Sequence, residues 1–504
     1  MGESETENGY TRSQRVGLLL GPLLFVGTQL FVSPPGLSEP ANAVLASTLW
    51  IAAWWMTEAV PIPVTSLLPI VLFPTLGVTS VVDAAAPYAD PVVFLFLGGF
   101  LVALAIERWN LHRRIALNVL HRVGDDTRRL ILGFMLVTAF LSMWISNTAT
   151  AMMMVPIGMA VVGQLEAFRA AGDDTPTYTD PSLEALDARD VPTSNFGVAL
   201  MLGIAYAASI GGVATIIGTP PNAILAGIAR TSLGIEIGFF EWMLFGLPIA
   251  VIFLPLTWGV LIALLRPELR TVSESGAVIE RQLAALGAMR TGERRTLVVF
   301  AIVVAGWILR PFVIEPIAPG ITDTVIALVG GVLVFLVPVD LRRGEFLLEW
   351  EYTTRVPWGV LLLFGAGFSL AGAFQASGLD RWIAGNLSGL RGVALVAILL
   401  AVATLVVFLT EVTSNSATAS LFIPVMVSFS ASLAVSPVIL MVTVAVAASF
   451  AFMLPVATPP NAIVFGSGYL TIPQMARVGF WLNLAGILFL TAMVYVWLPI
   501  AWGL

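Results

Sequence analysis

Residues 144–156 read "WISNTATAMMMVP" and residues 411–424 read "EVTSNSATASLFIP". Each string sets Ser, Asn and Thr side chains in the middle of a long apolar run. A run of about 18 apolar residues crosses a hydrocarbon core of about 30 Å, and polar groups are costly there, so a string written twice needs a reason. The apolar arms flanking the first copy are about 15–16 residues each, roughly 24 Å at 1.5 Å per residue and short of a full crossing. A re-entrant hairpin with a polar tip, over 128–165, accounts for them. The second copy, over 392–436, has longer arms, which leaves two complete spans open there. In both cases the chain returns to the side it left.

The composition sets the surroundings. Of 504 residues 58% are hydrophobic and 11% charged, against about 45–50% and 25% in an ordinary soluble domain. The chain reads as an all-α polytopic membrane protein with eleven spans near 16–33, 41–60, 64–80, 91–107, 196–229, 239–265, 296–316, 321–338, 356–377, 437–468 and 478–502, besides the two hairpins. The start "MGESETENGYTRSQR" lacks a basic n-region and a cleavage site, so the first apolar run reads as a retained span. Its "MGESET" fits the myristoylation pattern, but an anchor adds little to a chain already in the bilayer. There is no cysteine, which excludes disulfides, thiol catalysis and thiolate metal sites. His112 and His121 lie among arginines in a loop, where a solvated or headgroup-facing role is expected. With the N-terminus inside, only Arg230, Arg310, Arg381 and Arg391 of the 24 basic residues fall on the far side. That bias places the 1–15 tail and the 266–295 linker in the cytoplasm and the C-terminus outside, in a multi-pass protein of the cell membrane. No organic cofactor and no nucleic-acid partner is expected.

Sliding the chain against itself by 268 positions superposes Phe96, Gly99 and Phe100 on Phe364, Gly367 and Phe368, Ser146-Asn147 on Ser414-Asn415, and Pro156 on Pro424. A second pair, "GTPPNAI" at 218–224 and "ATPPNAI" at 457–463, follows at an offset of 239. The difference matches a polar insert, "EAFRAAGDDTPTYTDPSLEALDARDVPTSN", in the first half alone. Five spans separate the helix at 91–107 from its counterpart at 356–377, and an odd number inverts the second copy. The halves 16–265 and 296–504 therefore read as inverted repeats, an arrangement that places a binding site between them near the midplane, with broken helices forming it. Tandem prolines in 196–229 and 437–468 remove backbone donors and restrict the preceding residue, so these two helices are expected to break.

Two tips and two breaks bring together Ser146, Asn147, Thr148, Thr219, Asn222, Ser414, Asn415, Ser416, Thr458 and Asn461. Hairpin tips offer helix N-termini that favour anions, while hydroxyls, amide oxygens and freed carbonyls suit a small hard cation. A divalent anion leaving water here meets no arginine or lysine, and isolated buried charge is costly. Bound cations beside it would supply the countercharge, which points to an anion and a cation moving together.

The string "WWMTEAVPIPVTSLLP" at 54–69, the paired tips and the paired T-P-P-N stretches resemble the divalent anion/sodium symporter family over essentially the whole chain. The resemblance implies sodium-coupled transport of a divalent anion, foremost a C4-dicarboxylate such as succinate, malate or fumarate, with citrate or sulfate as alternatives. It also implies a homodimer, a scaffold domain and a transport domain that moves like an elevator, both drawing on the two halves. Asn147, Thr148, Asn415 and Ser416 would hold the substrate, with Thr219, Ser414, Thr458 and Pro459 nearby. At least two sodium ions are implied. One would use Ser142, Ser146, Asn147 and the Gly218 carbonyl; the other, Thr410, Thr413, Asn415 and the Ala457 carbonyl. Ser416 replaces the usual threonine, and Thr219 stands where many members have serine, which puts substrate choice in question. No lysine or histidine intrudes at either set, which favours sodium coupling over exchange without a cation.

Other readings are weaker. An isolated Ser or Thr in a membrane helix usually bonds its own backbone or a neighbouring helix; the repeat argues against that for the tips. Glu58 and Glu411 lie near span ends, where bonding freed backbone donors competes with a functional role. The arginine-rich stretch 108–129 reads as an amphipathic surface segment under the hairpin, and "GGF" and "GAGF" as close-packing sites. An enzyme would need a nucleophile with a base, or a metal cluster, and neither is present in the sequence pattern. A cation/proton antiporter would be expected to bury carboxylate pairs.

Overall fold

A computed structural model describes residues 10–503 apart from 33, 125, 172–193, 268–274, 387–388, 390–391 and 434. The "MGESET" start, most of the polar insert and part of the 266–295 linker lie outside the described residues. Helix dominates: among the described residues the strands are Pro338–Asp340 and Glu345–Phe346, paired antiparallel.

Among the described residues, eight helices are long and apolar enough to cross a membrane. The expected eleven spans are not eleven uninterrupted helices. The span at 64–80 is two short pieces, Ile62–Thr65 and Leu68–Thr75, the second restarting with Pro69 in its first turn. The span at 321–338 is the 14-residue helix Asp323–Leu336, about 21 Å long. Burial divides the helices. Arg12–Phe31 and Thr291–Ile314 have windows only 17% buried, whereas the Asn195–Val213 window is 100% buried. A helix apolar all round and shielded by protein all round belongs to the interior.

Both polar strings join two helices. The first hairpin is Thr127–Ser142 and Asn147–Ala171; the second is Leu395–Thr410 and Asn415–Leu433. Each leading arm has 16 residues, about 24 Å and short of the core thickness. The helix Leu111–His121 buries Leu111, Ala116, Leu117 and Leu120 and packs on the first hairpin.

Both helices that carry tandem prolines are interrupted. Asn195–Val213 resumes as Pro220–Leu233, and Pro437–Ala447 resumes as Pro459–Gly466. The breaks lie before the prolines, not at them. Each pair opens the second piece, where a helix has no use for the missing N–H and the fixed φ is already helical. The glycine-rich stretches do bring helices close: a Cβ on Gly98 would lie 2.5 Å from the Ala327 backbone.

Ion pairs tie the helix ends together. Arg108 meets Glu349 at 2.6 Å and Arg114 meets Glu293, all from segments expected on the arginine-rich side. Asp90 meets Arg230, and Arg310 meets Asp323 at 3.2 Å, all from segments expected on the other.

Candidate functional site

The two tips and the two breaks converge on one cavity of about 1220 Å³. Asn147 and Thr148 line it from the first tip, and Ser414, Asn415 and Ser416 from the second. Gly218 and Thr219 contribute from the first break, and Ala457, Thr458 and Pro459 from the second. Phe96 and Phe100 form part of an apolar wall, and the cavity extends to Thr11, Gln14, Glu58, Glu107 and Arg355. Arg355 is the one basic side chain among the described lining residues, and it lies exposed beside Tyr352.

Behind each tip lies a set of oxygens. Ser142 Oγ, fully buried, is 2.5 Å from Asn147 Oδ1 and 2.7 Å from the Ala208 carbonyl oxygen. The Asn147 amide also faces the carbonyls of Ala208 at 3.1 Å and Gly218 at 3.3 Å, and the hydrogen bonding favours it turned over, its NH2 donating to these carbonyls and to Ser142 Oγ. With the amide oxygen inward instead, the same atoms make a set of hard oxygens with too few protons among them, the set a hard cation would complete. The second half repeats the set: Thr410 Oγ1 is 2.7 Å from Asn415 Oδ1 and 3.1 Å from the Ala448 carbonyl.

Other expected residues make bonds of their own. Ser146 is exposed to the cavity, and its hydroxyl accepts from the Ala149 N–H, capping the second arm. Thr413 donates to the Leu409 carbonyl and shares a bond with Thr418, so its hydroxyl is held within the hairpin. The Thr458 hydroxyl caps the resumed helix by accepting from the Asn461 N–H, while Thr219 makes no such cap. Asn222 and Asn461, grouped with the cavity donors on sequence, are fully buried and turned to the breaks. Each is the third residue of its resumed helix and reaches back to the carbonyls of the break.

The carbonyls of Ala208 and Ala448 carry no side-chain signature. A signal did exist: "AYAAS" at 205–209 and "AVAAS" at 445–449 repeat at an offset of 240. Glu411 accepts from the N–H groups of Phe452, Met453 and Leu454 and from the Asn483 amide, the freed-donor role. Glu58 takes no such part: it ends its helix at φ 48° and its carbonyl accepts from Gln14. His112, expected in solvent, is half-buried with Nδ1 3.1 Å from the Ile106 carbonyl. Burial lowers its pKa, the bond to Ile106 opposes that and Arg113 adds to it, which favours the neutral ring at pH 7.

Fold and site define the class: a multi-pass helical membrane protein with a polar centre built from two hairpin tips and two broken helices. Residues 13–503 match the family described as the sodium:sulfate symporter transmembrane region. The chain belongs to that family of transporters, as the four motifs led one to expect. It is 42% identical over 499 residues to the sodium-dependent dicarboxylate transporter SdcS of Staphylococcus saprophyticus, covering 98% of this chain and 93% of that one. The SdcS of Staphylococcus aureus strain USA300 is 40% identical over 506 residues, covering 100% and 94%. The fold is similar to the crystal structure of the Alcanivorax borkumensis YdaH transporter, with a TM-score of 0.56 at 16% identity over 92% of this chain and 99% of that one.

Proposed function

We propose that this protein is a sodium-coupled symporter of a divalent anion, foremost a C4-dicarboxylate such as succinate. One observation carries the reading: Ser142, Asn147 and Ala208 on one side, and Thr410, Asn415 and Ala448 on the other, form equivalent oxygen sets behind two tips that face one cavity. The first sodium site uses Ser142, Ser146, Asn147 and Gly218, joined by the Ala208 carbonyl. The second uses Thr410, Thr413, Asn415 and Ala457, joined by that of Ala448. The dianion lies between Asn147-Thr148 and Asn415-Ser416, with Thr219, Ser414, Thr458 and Pro459 around it.

The physics of coupling follows. No basic side chain lies at the tips, so a dianion leaving water there gains its countercharge from the cations. Each bound species then lowers the cost of binding the other, and the effect is reciprocal. The names of the relatives favour a dicarboxylate over citrate, and the family description keeps sulfate as the second reading. The halves are inverted repeats, and transport alternates by an elevator-like shift of the hairpin and broken-helix body against a scaffold in a homodimer of the cell membrane. Thr11, Gln14, Glu58 and Arg355 are expected on the arginine-rich side, so the cavity opens toward the cytoplasm here. The C-terminus lies outside.

The test is accumulation of labelled succinate by liposomes holding the purified protein under an inward sodium gradient, with citrate and sulfate as parallel arms. Succinate should accumulate and collapse to background when sodium is replaced by choline. Equal uptake in choline would refute the coupling, and accumulation of sulfate alone would replace the substrate.

A further inference from the structure

A helix that stops inside a membrane strands its last four carbonyls. At the first break, Asn222 reaches back across the gap, and its Nδ2 donates to the carbonyls of Thr215 at 2.8 Å, Gly212 at 3.3 Å and Val213 at 3.4 Å. At the second, Asn461 Nδ2 donates to Leu454 at 3.0 Å and Ala451 at 3.2 Å. These bonds repeat at the offset of the T-P-P-N pair: Gly212 corresponds to Ala451, Thr215 to Leu454 and Asn222 to Asn461. Both asparagines are 0% exposed, and neither amide oxygen has a partner among the described residues. The reverse orientation would set each amide oxygen against carbonyl oxygens, so the carbonyls fix which way the amide faces.

We infer that Asn222 and Asn461 are positioning residues for the two cation sites: each locks its break in the shape that aims the Gly218 or Ala457 carbonyl at the oxygens behind the tip. This deepens the functional reading and rests on it. The geometry at the first break is tight. Gly212, whose carbonyl Asn222 holds, has its Cβ direction 2.7 Å from Asn147 Oδ1 and 3.0 Å from the Gly218 carbonyl oxygen. A shift of a few tenths of an ångström in the break therefore changes the oxygen set directly. The two clamps differ in support. The second break is also gripped by Glu411 through three N–H groups. The first has in addition only the Thr215 hydroxyl on the Met143 carbonyl and the Trp242 indole on the Val213 carbonyl, among the described residues. Losing Asn222 should hurt more than losing Asn461.

Asn222→Leu and Asn461→Leu remove the donors without adding a charge. In sodium-gradient liposomes, Asn222→Leu should raise the sodium concentration for half-maximal succinate uptake about tenfold, and Asn461→Leu about threefold, the loss of roughly one hydrogen bond or less. At saturating sodium the half-saturation for succinate should stay within about twofold in both. A general loss of folding lowers the maximal rate without this split. Should Asn222→Leu fail to insert, Asn222→Ser, which retains one donor, and Asn461→Leu carry the same comparison, as does sodium-induced thermal stabilisation of purified protein. Unchanged sodium dependence, or a change in succinate affinity alone, overturns the inference while leaving the symport reading intact. A wild-type protein without sodium dependence overturns both.

Discussion

The two halves build the same pair of breaks with different chemistry. Met143 and Glu411 are equivalent at the offset of the tips. In the first half that residue offers its backbone carbonyl to the Thr215 hydroxyl at 2.6 Å, and Trp242 donates to the Val213 carbonyl at 2.9 Å. In the second, Glu411 takes the N–H groups of Phe452, Met453 and Leu454, and the Asn483 amide at 2.7 Å completes the carboxylate. Both breaks have donors aimed at their carbonyls, Asn222 and Trp242 at the first and Asn461 and the Tyr206 hydroxyl at the second. Breaking a helix in a membrane frees N–H groups as well as carbonyls, and the second break adds an acceptor, Glu411, aimed at its N–H groups. Among the described residues, the second break alone is held by a buried carboxylate, on the residue that follows Thr410.

The comparison breaks most sharply at the tips. Asn147→Ala and Asn415→Ala each remove the amide central to one oxygen set, and either should reduce sodium-driven succinate accumulation to background while the protein still purifies as a folded species. Retained accumulation in one of them would mean that the halves are not equivalent in use. Glu411→Gln comes next. Its amide NH2 would face N–H donors, and hydrogen bonds to a charged group contribute about 1.5–3 kcal/mol each. Uptake should fall at least about tenfold, with a lower detergent melting temperature, while Met143→Leu stays within about twofold of wild type because only its backbone is used. A similar loss in both would erase the contrast.

A smaller effect concerns packing space. Gly212 has no room for a methyl group beside Asn147, yet its counterpart is Ala451. Gly212→Ala should raise the sodium half-saturation about five- to tenfold, and Ala451→Gly should leave it within about twofold; sodium titration of uptake checks both. Smallest is the one difference within the tip strings, Thr148 against Ser416. Both keep the hydroxyl and both line the cavity, so Ser416→Thr and Thr148→Ser should alter only the ratio of succinate to citrate uptake, by a few-fold at most, since one methyl group is worth about 1 kcal/mol.

Much of this was legible because polar groups in an apolar chain are conspicuous. The repeated S-N-T and S-N-S strings marked the tips, and the tandem prolines marked the resumed helices to within a residue or two. The breaks themselves were placed too late, since a proline pair starts a helix more readily than it ends one. Backbone oxygens carry no residue signature, so Ala208 and Ala448 went unread despite the small-residue repeat around them. The bonds of Thr413 were not legible either: just past the end of its helix, its hydroxyl donates to the Leu409 carbonyl, which leaves its lone pairs as acceptors. Asn222 and Asn461 were legible as polar but not in direction, because the side chain's target lies ten residues upstream across a gap only the fold closes.

The central claim is that both oxygen sets hold cations that travel with the anion. Labelled sodium and labelled succinate, followed together in the same liposomes, measure this directly. The account predicts at least two sodium ions entering per succinate, with neither flux persisting in the absence of the other ion. One sodium ion or none per succinate would contradict it.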